Sequence, residues 1–374
     1  MSKQNATPAD QKGGFKLSSI LNFNVLLVFL PIALVLRASG GSDVLIFGAA
    51  ALAIVPLASL VGSSTEVVAA KLGPGLGGLI NATLGNAAEL IITIFALRAG
   101  LLELVKSSII GSVIGNLLLV MGLSMVFGGV KNGRQTFDKH VAGVNATFLI
   151  LAFLILAIPS AFDTAILGAS DGLNRELLFS EGLAIVMIVL YGLYILYTLR
   201  NPTPSAGEAH HTSSLSIRTA LIILALSTLG IVFMSETLVG TVEKVGHSLG
   251  LSQFFIGIII VPLIGNVAEH LVAVQVAWKN RMDLSMSISL GSSMQIALFV
   301  APVLVFISLL FKDKLLLVFN AYELLALAVA SIIAAFVAMD GESNWLEGAA
   351  LLAVYLIFAW AFLLVPAMAT GGVH

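Results

Sequence analysis

The sequence predicts an all-α polytopic membrane protein of about eleven transmembrane helices: one helix followed by two inverted five-helix repeats. Three observations predict it. Of 374 residues, 59% are hydrophobic and only 10% charged, with a mean hydropathy of +1.06. A soluble domain needs about a quarter of its residues charged. Apolar runs recur near 22–37, 43–70, 77–98, 104–128, 140–159, 180–199, 217–240, 253–278, 286–311, 322–339 and 345–366, close to the roughly 20 residues that cross a bilayer as helix. Backbone groups in lipid must be satisfied internally, and no ten-residue alternation suggests a barrel, so the runs are helices. Finally, Gly85-Asn86-Ala87-Ala88-Glu89 recurs 180 positions later as Gly265-Asn266-Val267-Ala268-Glu269.

Taken in order, residues 1–21 are polar, carry Lys3, Lys12 and Lys16, and lack a small-residue cleavage site. They read as a cytoplasmic N-terminal tail rather than a signal peptide. Residues 22–40 hold the first transmembrane helix and 41–199 the first five-helix repeat. Gly40-Gly41-Ser42, Gly73-Pro74-Gly75, Gly128-Gly129 and Asn201-Pro202-Thr203-Pro204 supply turn chemistry between spans. Residues 200–216 form a polar cytoplasmic linker, in which His210 and His211 read as loop rather than metal ligands. Residues 217–374 form the second repeat. Five spans per half is an odd number, so the halves lie in opposite orientations, the architecture of many secondary transporters, whose ion site sits at the midplane. With the N-terminus cytoplasmic, eleven of the 18 Lys/Arg fall on the cytoplasmic side, in keeping with the positive-inside rule. The chain has no cysteine, which excludes disulfides and thiolate metal sites. Gly73–Gly78 lacks the Lys-Ser/Thr ending of a phosphate loop; no nucleotide site, cofactor or nucleic-acid partner is expected.

The chemistry lies at the repeated motif. Asn86 and Glu89 are an i, i+3 pair leaving one helix face, and Asn266 and Glu269 repeat it. An acidic residue at that depth is a functional-site hypothesis by default. Ser112 and Ser292 follow at matched spacing, Gln295 lies three residues after Ser292, and Asn116 four after Ser112. Oxygen donors around two carboxylates suit Ca²⁺, which accepts six to eight oxygens in irregular geometry, whereas Mg²⁺ sheds its water reluctantly. The absence of sulfur and of clustered imidazole argues against copper or zinc. Gly85 and Gly265 precede the asparagines, where a helix can unwind and offer carbonyls to an ion. Gly111 and Gly291 read equally as close-packing positions. Glu66 and Glu236, on corresponding helices, are either a proton or cation relay and gate or side chains snorkelling from helix ends. His270 either titrates near neutral pH or packs.

The runs GNAAELI and GNVAEH, followed by GSVIGN and GSSMQIALFVAP, resemble the two signature repeats of the calcium/proton exchangers, within the calcium/cation antiporter superfamily. The likeness continues through residues 76–83 and 254–262. It implies a one-plus-five-plus-five helix arrangement and exchange of cytosolic Ca²⁺, or another divalent cation, for protons by alternating access. The central ligands it implies are Glu89 and Glu269, with Asn86, Asn266, Ser112, Ser292 and Gln295 around them. The sodium/calcium branch carries Pro-Glu where this chain has Ala-Glu, which favours protons as counter-ion; Na⁺/Ca²⁺ exchange is the alternative, and a passive cation channel ranks below it. Many members have an acidic linker, but here it holds only Glu208. The expected setting is the plasma (inner) membrane of a prokaryote, with a vacuolar membrane as the alternative.

Overall fold

A computed structural model of the chain describes residues 23–167, 172–201 and 216–365. The N-terminal tail, most of the 200–216 linker with His210 and His211, and the last residues lie outside that description. A 3₁₀ segment, Phe23–Val28, leads into α1 (Phe29–Ala38). The first half continues with α2 (Asp43–Leu84), α3 (Ala87–Arg98), α4 (Leu102–Asn132), α5 (Lys139–Leu167) and α6 (Gly172–Arg200). The second half runs through α7 (Ile217–Val239), α8 (Val242–Leu249), α9 (Gln253–Gly265), α10 (Val267–Trp278), α11 (Met282–Ser308), α12 (Ala321–Asp340) and α13 (Trp345–Leu364).

Among the described residues, eight helices are long and apolar enough to cross a membrane, or nine when α8 and α9, bent by 114°, count as one span; α10 and the stretch ending in α1 are shorter apolar helices. This accommodates the eleven expected spans. The two motif-bearing spans are broken next to Gly85 and Gly265, the positions read from the sequence as places where a helix can unwind. The run at 77–98 is the last turns of α2 followed by α3, and the run at 253–278 is α9 followed by α10. α2 is also bent: a Cβ on Gly77 would overlap the carbonyl of Ala69, eight residues earlier. The chain therefore doubles back between Ala69 and Gly77.

The repeat is preserved in the backbone. α3 and α10 begin and end at the same 180-residue offset, and so do the starts of α4 and α11. Both long helices carry a π-helical turn at matching places, Gly115–Val120 and Ile296–Val300. The turn after α3 uses Gly100 at φ 76° and the turn after α10 uses Asn280 at φ 60°. Glycine and asparagine are the residues that tolerate this left-handed geometry.

α4 and α11 form the centre and are buried along most of their length, through Ile110, Ile114 and Leu117 on one and Leu290, Met294 and Leu298 on the other. The outward faces of α6, α7 and α13 are apolar and exposed, as expected of lipid-facing helices whose backbone is satisfied internally. Two clasps tie the halves. At one end a short antiparallel pairing joins β1 (Gln135–Thr136) to β2 (Glu342–Ser343), with an Arg134–Glu342 ion pair. There Gln135 Nε2 also donates to the Ala277 carbonyl at 3.0 Å. At the other end Arg37 lies 3.8 Å from Glu236 and donates to Thr237 Oγ1 at 3.0 Å, while Lys244 reaches Asp43 at 3.3 Å.

A candidate cation site shared by the two halves

Both motifs sit where one helix ends and another starts. Asn86 and Asn266 are the N-cap residues of α3 and α10, and Glu89 and Glu269 fall at the third helical position. Asn-x-x-Glu at a helix start is the pattern of a capping box. The chain contains a genuine one at α12, where Asn320 Oδ1 accepts from the Glu323 N–H at 2.9 Å and Glu323 Oε2 accepts from the Asn320 N–H at 2.8 Å. At α3 and α10 neither asparagine caps its own helix. Their amides reach across the molecule instead.

Asn86 Nδ2 donates to Gln295 Oε1 at 2.8 Å, and Asn86 Oδ1 accepts from the Ser292 hydroxyl at 3.2 Å. The mirror contact is Asn266 Nδ2 to Ser112 Oγ at 3.1 Å, and Asn116 Nδ2 donates to Ser292 Oγ at 3.1 Å. Each half therefore holds the other's polar groups. All of these asparagines and serines are buried. Glu89 is buried with its carboxylate against Gly265 of the opposite half, where a Cβ would stand 3.0 Å from Oε1. Glu269 is half-buried, within reach of the Ser292 hydroxyl, and lies close enough to Glu89 for the two charges to repel.

Among the described residues no lysine or arginine meets either carboxylate. Glu269 Oε2 and Asn266 Oδ1 have no hydrogen-bond partner. A buried ion normally requires a partner, because desolvation costs several kcal/mol per ion. Two carboxylates, two amides and two hydroxyls converging without a counter-charge are arranged to accept positive charge, as protons or as a cation. Two helix N-termini point at the carboxylates and ease their burial, and the C-terminal ends of α2 and α9 abut the same place.

Of the remaining sequence-derived residues, Glu66 and Glu236 are not gathered here. Glu236 is at the Arg37 clasp, 46% exposed. Glu66 is exposed on α2. His270 is buried beside Glu269 with Nε2 unpartnered. Gly85 and Gly265 occupy the two helix breaks. Two residues unmarked by the sequence reading, Thr93 and Ser108, line a small cavity beside Glu89 together with Ser112, against Val261, Ile296 and Val300. Their signal was spacing: Thr93 is one turn beyond Glu89, and Ser108 one turn before Ser112.

The model of the sodium/calcium exchanger protein family matches residues 42–200 and 219–364, the two halves that share this site. The chain belongs to this family. Within it, the exchanger is 43% identical over 361 residues to a Ca(2+)/H(+) antiporter of Aphanothece halophytica, covering 91% of this chain and 96% of that one. It is 44% identical over 327 residues to the Ca(2+)/H(+) antiporter ChaA of Bacillus subtilis (strain 168), covering 85% and 92%. The solved structure of native YfkE superposes with a TM-score of 0.81 at 39% identity, covering 92% of this chain and all of that one. These relatives place the exchanger in the calcium/proton branch.

The exchanger's two halves are not in the same arrangement. A Cβ on Gly111 of α4 would overlap the Ile258 carbonyl of α9, and one on Gly257 would overlap Ser107 of α4. At the equivalent glycine of α11, Gly291, there is open space. The two helices thus touch backbone to backbone on one side of the site, whereas α11 lacks such a contact at the equivalent point. The pairing of Gly111 with Gly291 as packing positions holds for only one of them in this conformation.

Proposed function

We propose that the exchanger moves Ca²⁺ out of the cytoplasm against protons, using Glu89 and Glu269 as the shared site for both ions. The carrying observation is that two broken helices from opposite halves bring their carboxylates together, with no lysine or arginine among the described residues paired to either. Ca²⁺ balances both charges and takes further oxygens from Asn86, Asn266, Ser112, Ser292 and Gln295, in the irregular oxygen shell it accepts. Protons neutralise the same carboxylates, so the two cargoes exclude each other. An empty, doubly charged site at mid-membrane is costly to expose to the apolar barrier, which restricts the change of facing to the filled forms. That restriction converts competition into exchange.

The α4–α9 contact at Gly111 and Gly257 is the closed side of the site, and the open space at Gly291 the access side. With the N-terminus cytoplasmic, the access side faces the cytoplasm, so this conformation takes up Ca²⁺ from within. The site residues, the division at 200–216, the cytoplasmic N-terminus and a prokaryotic plasma membrane belong to this proposal. The test is Ca²⁺ flux in proteoliposomes under imposed pH and Na⁺ gradients. A pH gradient alone drives Ca²⁺ uphill on this reading. Uphill movement driven only by Na⁺ would replace it with sodium exchange, and dissipation alone with a channel.

A further inference from the structure

The helix that carries Glu269 is held at both ends by the other half. At its start Asn266 Nδ2 donates to Ser112 Oγ of α4 at 3.1 Å. At its end α10 closes in a left-handed turn, with the Asn280 N–H on the Ala277 carbonyl at 3.0 Å and the Arg281 N–H on the Val276 carbonyl at 2.9 Å. A carbonyl oxygen has two lone pairs, and three side chains of the first half reach those of Ala277 and Trp278. Lys131 Nζ donates to the Trp278 carbonyl at 3.0 Å and lies 4.6 Å above the Trp278 ring. Asn132 Nδ2 stands 3.3 Å from both carbonyls. Gln135 Nε2 donates to the Ala277 carbonyl at 3.0 Å and to Asn280 Oδ1 at 3.0 Å. Gln135 is 2% exposed. It fills the space beside Gly128, where a Cβ would overlap its Oε1.

The matching helix α3 ends differently. Its turn has the same backbone bonds, Gly100 N–H to Leu97 and Leu101 N–H to Ala96, but among the described residues only backbone N–H groups bond these last carbonyls. Its left-handed position holds Gly100, whereas α10 has Asn280 there, at φ 60° the only described non-glycine residue with positive φ. Glycine takes that conformation more easily, and the asparagine gains the bond from Gln135 in exchange. The positions 180 residues beyond Lys131, Asn132 and Gln135 are Phe311, Lys312 and Leu315. The cap is thus a departure from the repeat, confined to the helix of Glu269.

We propose that Gln135 is a positioning residue for Glu269. It caps α10 from the opposite half, with Lys131 and Asn132, and docks that helix along α4 so that Glu269 and Ser112 keep one spacing as Ca²⁺ enters. α10 has only 12 residues, so fixing its two ends fixes its axis. A cation site needs its ligands held to within about 0.5 Å. The inference rests on Glu269 being a ligand.

The test uses the full-length exchanger in proteoliposomes. Gln135→Met keeps the length of the side chain and removes its donor. Half-saturating Ca²⁺ should rise several-fold, in binding calorimetry and in transport, with the maximal rate near wild type. Arg134→Gln breaks the ion pair with Glu342 at the same corner but leaves the cap, and should leave half-saturation unchanged. Because the chain has no cysteine, spin labels on Thr136→Cys and Lys279→Cys report the distance between β1 and the end of α10 by pulsed electron resonance. That distance should be narrowly distributed and unmoved by Ca²⁺, and Gln135→Met should broaden it. If Gln135→Met does not fold, Asn280→Gly carries the same readouts, since glycine adopts the turn without strain and removes only the side-chain acceptor; a smaller change in the same direction is expected. Unchanged half-saturation in whichever variant folds overturns the proposal, as does an equal rise in Arg134→Gln or a narrow distance that persists without the Gln135 bond. Wild-type Ca²⁺ binding in Glu269→Gln would instead overturn the site assignment, which the labelled distance does not depend on.

Discussion

At the scale of the residue, the structure separates Asn86 and Asn266 from ordinary helix caps. Glu89→Gln and Glu269→Gln each remove a Ca²⁺ ligand and a titrating group while keeping volume, so exchange should fall below about a tenth of wild type, the loss that about 1.4 kcal/mol represents, with the fold intact. Flux above that level in both variants would show the carboxylates are not the site. Gly265→Ala is a finer probe. Its methyl group would stand 3.0 Å from Glu89 Oε1, so the flexible carboxylate must shift. Apparent Ca²⁺ affinity should drop several-fold with little change in melting temperature, as measured by Ca²⁺ titration and thermal unfolding. Much of this site was legible in the sequence, because an acid and an amide in an apolar run, repeated at a fixed offset, have few structural reasons to exist. Their partners were less so. That Asn86 bonds Gln295 and Ser292 rather than its own helix depends on contacts 209 and 206 residues apart.

At the scale of the element, glycine placement records which contact is made. Gly111→Ala pushes its methyl into the Ile258 carbonyl of α9. Backbone cannot move aside as a side chain can, so this substitution should lower thermal stability by about 1–3 kcal/mol, the usual cost of overpacking. Gly291→Ala meets open space and should leave stability unchanged. If α11 must close at that point during the cycle, as the repeat implies, Gly291→Ala should nonetheless slow transport several-fold. Equal stability loss in the two variants would contradict the asymmetry. Hydropathy alone placed the long helices well and drew each motif span as one run; the expectation of a break came from Gly85 and Gly265. A polar break of one or two residues barely alters the mean over a 20-residue window, and the break is visible only as Gly85 and Gly265 beside an N-cap residue. The turn of α2 near Pro74 had its signal in Gly73-Pro74-Gly75.

At the scale of the molecule, five spans per half require the 200–216 linker and the C-terminus to lie on opposite sides of the membrane. The chain is free of cysteine, so single cysteines introduced in the linker and after α13 can be labelled with an impermeant thiol reagent. Labelling from the same side would rule out eleven spans. The inverted repeat itself was readable from one five-residue motif and its offset, because duplication preserves spacing where backbone geometry demands it. The state of the molecule, closed at α4–α9 and open at Gly291, was not readable, since both halves carry the same pattern and only the assembled packing distinguishes them.

On the proposed mechanism, Ca²⁺ and protons compete for Glu89 and Glu269. If two protons cross for each Ca²⁺, holding a ten-thousandfold Ca²⁺ gradient of about 5.5 kcal/mol needs roughly two pH units at about 1.4 kcal/mol per proton per unit. The direct measurement is the number of protons released as Ca²⁺ binds, obtained by titration calorimetry in buffers of different ionisation enthalpy. Ca²⁺ can fill the site only when its carboxylates give up their protons. More than one proton should be released per Ca²⁺ over the pH range of transport, with apparent Ca²⁺ affinity falling steeply as pH drops. A release indistinguishable from zero would contradict it.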